Sequence, residues 1–128
     1  MSWPPFSSAI INAAPPAALL RAAVAALSRS FLAPAVVLEA RGGQLVPLAA
    51  EMGAQPSAGD LEAAAWVAAN DRPTRAGTYP FDQSGFDFWP AVTAGGRKLV
   101  LGVKFRTRPA KPETQVELIA GYLAESSL

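Results

Sequence analysis

Leu20, Val24, Leu27 and Phe31 recur at i, i+4, i+7 and i+11 in an alanine-rich stretch, the spacing of one apolar stripe on a helix. This pattern predicts a helix that opens near Pro15-Pro16, since proline is tolerated in a first helical turn, and that Pro34 stops. Ahead of it, residues 1–14 read as an extended lead-in carrying Trp3, Phe6, Ile10 and Ile11. Val36-Val37-Leu38 and Leu45-Val46-Pro47-Leu48 are apolar runs separated by Gly42-Gly43, which predicts a hairpin because glycine takes positive φ without strain. Pro47 has no N–H to give a ladder, so the second strand is expected at a sheet edge. Residues 52–59 are predicted as a loop, with Asp60 capping a helix over 61–69 whose buried face holds Leu61 and Trp66. Asn70, Asp71 and Pro73 end that helix, and residues 74–85 form a loop or short strand.

The last third carries the clearest alternation. Phe86 to Val92 is aromatic and extended, Ala94-Gly95-Gly96-Arg97 is a second turn, and Lys98 to Arg106 alternates. Leu99, Leu101, Val103 and Phe105 share one face of this strand; Lys98, Val100, Gly102, Lys104 and Arg106 share the other, as in a half-buried antiparallel strand. Pro109 and Pro112 reset the chain, and Val116, Ile119 and Leu123 stripe a final helix. The order α-ββ-α-(β)-ββ-α is that of an α+β domain, a central antiparallel sheet flanked by helices.

Composition narrows the chemistry more than the fold. The 128 residues suit one domain. Hydrophobic residues are 51% of the chain, but 27 of them are alanine, so the larger apolar side chains are at ordinary abundance. There is no histidine and no cysteine. Imidazole base catalysis, thiol nucleophiles, disulfides, iron–sulfur ligation and Cys/His zinc sites are therefore excluded. Net charge is +1, too little to mark a nucleic-acid or anionic-lipid surface. The most apolar window, Ala13 to Leu27, is broken by Pro15, Pro16 and Arg21, and Met1-Ser2-Trp3-Pro4-Pro5 lacks the basic opening of a secretion signal. No membrane insertion by this segment is expected.

The run Leu61-Glu62-Ala63-Ala64-Ala65-Trp66-Val67-Ala68-Ala69-Asn70-Asp71-Arg72-Pro73 resembles the helix and exit of the GAF domain in KdpD-type sensor histidine kinases. Arg75-Ala76-Gly77-Thr78 matches the following turn, Phe88-Trp89-Pro90-Ala91-Val92 the aromatic strand, and Val100-Leu101-Gly102-Val103 the strand after it. The resemblance spans about Leu20 to Leu123; the loop Gly77-Thr78-Tyr79-Pro80-Phe81-Asp82 departs from the family's usual sequence. It implies a GAF-like (PAS-like) domain over 15–125, with the N- and C-terminal helices on one face of the sheet and a loop-covered pocket on the other. It further implies a cytoplasmic, non-catalytic regulatory role, relaying potassium limitation or turgor to the kinase core of a parent protein in the inner membrane. A homodimer through the terminal helices follows from the same likeness. No cofactor is expected: the cyclic-nucleotide motif of other GAF domains is absent, and covalent tetrapyrrole attachment and thiol-based sulfoxide reduction both need cysteine.

Candidate site residues fall in two groups. Thr78, Tyr79, Phe81, Phe86 and Trp89 either wall a ligand pocket or fill the core. Lys98, Lys104 and Arg106, on one strand face at even spacings, form either an anion site for a nucleotide or a solvated face; a nucleotide-binding module is the alternative function. Asp82 and Asp87 are expected to be solvated loop carboxylates rather than an acid–base pair. Gly42-Gly43 and Gly95-Gly96 are expected to be hairpin turns, since neither has the strand-to-helix context of a phosphate loop.

Overall fold

In a computed structural model, which describes residues 16–126 and Leu128, helix α1 spans Pro16–Phe31 and strands β1 and β2 span Ala35–Arg41 and Gln44–Glu51. Helix α2 spans Ala58–Asn70, β3 Asp87–Val92, β4 Lys98–Val103 and α3 Glu113–Glu125. The lead-in expected over residues 1–14 lies outside the described residues. The four strands form one antiparallel sheet in the order β2-β1-β4-β3, so the α+β architecture expected from the alternation is observed.

Strand parity sorts the core into two layers. Ala35, Val37, Trp89, Ala91, Leu99, Leu101 and Val103 face α1 and α3, where Leu20, Val24 and Leu27 meet Val116, Ile119 and Leu123. Both terminal helices thus lie on one face and touch each other. Their apolar stripes are buried inside the domain, which leaves their outer faces mostly alanine and charge, with Leu118 exposed. On the other face, Val36, Leu38, Phe86, Phe88 and Val100 pack beneath α2.

Several expectations are corrected here. Strand β4 ends at Val103 rather than Arg106 and is buried on both faces, because it is a central strand covered by α2 as well as by the terminal helices. Phe105 still points to the terminal-helix side, edge-on to Phe31 at 5.1 Å and to Trp89 at 6.2 Å. Helix α1 is stopped before Pro34, by Leu32 in the left-handed region (φ 51°). Its end is closed by Ser28, whose hydroxyl donates to the Ala33 carbonyl at 2.8 Å and whose carbonyl accepts from the Ala33 N–H.

Helix α2 starts earlier than predicted. Its N-cap is Ser57, and Asp60 occupies the third helical position of a capping box: Ser57 Oγ accepts from the Asp60 N–H, and Asp60 Oδ2 accepts from the Ser57 N–H at 2.7 Å. The buried face is Ala63, Ala64, Val67 and Ala68 rather than Leu61 and Trp66. Small side chains let the helix axis approach the sheet, and the larger Leu61 and Trp66 are displaced to the rim. Asp71 closes the helix in the left-handed conformation, its N–H donating to the Val67 carbonyl.

The sheet has proline on both borders. Pro47 sits on β2, an edge strand as predicted, opposite Leu38 next to a β-bulge. Pro90 sits on β3, the other edge. There Phe88 turns its N–H and carbonyl outward to Thr74 at 3.0 Å each, and by the two-residue period Pro90, which lacks an N–H, faces the same way.

Candidate functional site

The segment between α2 and β3 is a chain of turns rather than a strand. Gly77, at φ 69°, donates its N–H to the Ser84 carbonyl at 2.9 Å, and Phe81 and Ser84 donate to the carbonyls of Thr78 and Phe81 at 2.8 and 3.0 Å. Two carboxylates anchor it. Asp60 Oδ1 accepts from the Gly85 N–H at 2.7 Å, and Asp87 Oδ1 accepts from the Ala76 N–H at 2.9 Å. Burial opposes ionisation of Asp60, but hydrogen bonds from Ser57, Gly85 and Ser84 outweigh it and hold its carboxyl below the ordinary aspartate range.

Segment 73–75 separates two depressions. On one side, a groove of about 400 Å³ is lined by Trp66, Thr78, Tyr79, Pro80 and Phe81 together with residues 73–75. Trp66 and Phe81 stand 5.9 Å apart, tilted by 56°. On the other, a cleft of about 250 Å³ is formed by Asp87 and Trp89 with Pro112, Glu113 and Glu117 of the α3 start. Three of the predicted pocket residues, Thr78, Tyr79 and Phe81, are therefore brought together. The others are not. Phe86 is core, stacked on Phe88 at 5.6 Å. Trp89 lies on the opposite sheet face, as parity requires, and lines the second cleft.

The predicted basic face is also dispersed. Lys98 and Lys104 flank opposite ends of β4, and Arg106 lies beyond the strand. Lys104 lines a separate depression with Pro34, Gly53, Ala54, Gln55 and Phe86. Of the candidate residues, Lys104 and Phe86 thus share one depression, while Thr78, Tyr79 and Phe81 line another. Both Gly-Gly pairs are hairpin turns, with positive φ at Gly42, Gly43 and Gly96.

Asp87 departs furthest from expectation. Asp82 is exposed as predicted, but Asp87 is 2% exposed. Arg108 grips it in a fork, Nε to Oδ2 at 2.8 Å and Nη2 to Oδ1 at 2.6 Å. A carboxylate at the mouth of β3 is retained there because a guanidinium and a backbone N–H replace its water. Three hydrogen bonds engage its two oxygens, so Asp87 anchors the loop at Ala76 and the segment at Arg108.

A second fork lies at the other end of the sheet. Arg97 donates Nε and Nη2 to the two oxygens of buried Glu39 at 2.8 Å each, and Arg41 Nε adds a 2.7 Å bond. The Arg97 hydrogen bonds outweigh burial and, with Arg41, hold the Glu39 carboxyl below the usual glutamate range. Because its folded pKa is depressed, the stabilisation is present above the unfolded value of about 4.3 and is lost as pH falls through the folded pKa. Urea unfolding of Glu39→Gln should therefore show a lower stability at pH 7 and a shallower fall toward pH 3 than the wild type; parallel acid limbs would refute this assignment.

Trp66, Arg75, Arg108 and Arg97 were not among the predicted site residues. Glu39 within an otherwise apolar strand and Asp87 between two phenylalanines were the available signals, since a charge at such positions requires a partner. Among the described residues, no group of three or more Asp and Glu side chains is placed to hold a metal ion, and no helix is long and apolar enough to cross a membrane. Comparison with protein-family models, with curated proteins and with solved structures finds no match to this chain.

Proposed function

We propose that this chain is a non-catalytic sensory or regulatory domain of the GAF type, of the kind found in KdpD-like sensor kinases, which passes a signal to the kinase core of its parent. The observation that carries this reading is the double engagement of Asp87. One of its oxygens holds Ala76, inside the groove-forming loop, and both hold Arg108, in the lead to α3. A change of loop conformation thus bears on the chain segment that sets the position of α3. That helix packs against α1 on the same sheet face, so the two terminal helices move as a pair. The motif resemblance between Leu61 and Val103 supports the same reading, as does the assignment of both carboxylates near the loop to anchoring.

On this reading the domain works in the cytoplasm, as a dimer through the terminal helices. Since most of their large apolar residues are buried in the domain, the contact uses the outer surface, where Leu118 is exposed on α3. The test is to fuse the chain ahead of a dimeric histidine kinase core and measure autophosphorylation. Output is expected to change in Arg108→Gln while the isolated kinase core is unaffected. Leu118→Glu is expected to reduce self-association in sedimentation equilibrium. Kinase output indifferent to the presence of the domain would remove the relay, and a strict monomer at the highest concentration would remove the dimer.

A further inference from the structure

The groove beside α2 leaves more aromatic surface in water than folding requires. Trp66 is 37% exposed and Tyr79 89% exposed, and both line the groove together with Phe81. Clustered exposed aromatics mark binding surfaces more often than isolated ones, and a volume of about 400 Å³ lies within the range of small-molecule sites, roughly 300–1,000 Å³. Arg75 lines the same groove. Arg41, Arg97 and Arg108 each hold a carboxylate, whereas Arg75 has no ion pair among the described residues.

We propose that the groove binds a small planar aromatic carboxylate, its ring against Trp66, Phe81 and Tyr79 and its carboxylate on the Arg75 guanidinium. Three aromatic side chains alone would also suit an organic cation, held by the negative faces of the rings. The charge of Arg75 decides between the two: it repels a cation and offers a planar fork to a carboxylate. Glu113 and Glu117 line the neighbouring cleft, which Arg75 also borders, so the match is a monoanion rather than a polyphosphate. The inference goes beyond the relay and does not depend on it, since the groove can bind whether or not binding is transmitted to α3.

The test uses the full chain with indole-3-acetate as probe, indole and acetate as its two halves, and tetramethylammonium as the competing charge type. Titration calorimetry gives affinity, and amide chemical shifts of Thr74, Arg75, Gly77, Thr78, Tyr79 and Phe81 give location. Indole-3-acetate is expected to bind and shift these amides, indole to bind more weakly, and acetate not to bind. Arg75→Gln should weaken indole-3-acetate about tenfold, one charge-assisted contact's worth, and leave indole unchanged. Tyr79→Ala, at a side chain standing in water, should weaken both ring-bearing probes without altering the melting temperature. Lys104→Gln, at a different depression, should change nothing. The proposal is overturned if these amides do not move, if tetramethylammonium binds there in preference, or if Arg75→Gln leaves indole-3-acetate affinity intact.

Discussion

Arg108→Met is expected to lower the unfolding free energy by about 3 kcal/mol, the low end of the range for breaking a buried ion pair from one side. The low end applies because the Arg108 side chain is one-third exposed while that of Asp87 is 3% exposed, so water can partly replace the lost guanidinium. What remains is a buried carboxylate held only by the Ala76 N–H. Asp87→Asn should cost less, since its side-chain carbonyl can still accept from Ala76 and the desolvated charge is gone. The double change should cost less than the two single costs combined, because each single variant strands the other partner. Urea denaturation followed by tryptophan fluorescence gives all three values, with Trp89 adjoining the pair as reporter. An Arg108→Met variant within about 0.5 kcal/mol of wild type, the scatter of neutral surface changes, would mean that the fork is decoration.

Phe88→Ala should be costlier still, about 3–5 kcal/mol, because a fully buried ring leaves a cavity the surrounding strands cannot close. Phe88 lies opposite Gly102, which on its other side pairs with Val36. A Cβ built on Gly102 would stand 2.6 Å from Phe88 Cε1 and 2.9 Å from Val36 Cγ1. The glycine is thus required by the ring beside it, not by a turn. Gly102→Ala alone is expected to cost about 1–3 kcal/mol through overpacking. In Gly102→Ala/Phe88→Ala the new methyl enters space the ring has vacated, so the double variant should be more stable than the single costs imply, by about 1 kcal/mol or more. Additive costs would show that ring and glycine do not compete for one space.

These two sites also separate what is legible in the sequence from what is not. Period-2 alternation over 98–105 and the helical stripes at Leu20–Phe31 and Val116–Leu123 are local patterns, and each predicts an element that forms, with β4 ending early at Val103. Burial of β4 on both faces is not local: Val100 and Gly102 read as the second face of an alternating strand, and only the position of β4 between β1 and β3 shows that α2 covers them. Helix α2 misleads for a related reason, since hydrophobicity favours Leu61 and Trp66 as the core face while close packing favours alanine. At the site, the loop residues Thr78, Tyr79, Pro80 and Phe81 are neighbours in sequence and stay neighbours in space. Arg75 is a neighbour in sequence too, its carbonyl accepting from the Thr78 N–H, whereas Trp66 joins them only through the turn at Asp71. The forks Asp87–Arg108 and Glu39–Arg97 span 21 and 58 residues, distances at which charge pairing leaves no periodic trace.

The prolines at the two borders of the sheet have a consequence for how copies of this chain can meet. A fifth strand, from a ligand peptide or from another copy, would need a row of free N–H groups; β2 is interrupted at Pro47, and β3 is engaged by Thr74 at Phe88 and interrupted at Pro90. Lateral growth of the sheet is thereby blocked at both margins. Assembly is left to helices and loops, surfaces that can engage and release without recruiting the backbone into a fibre.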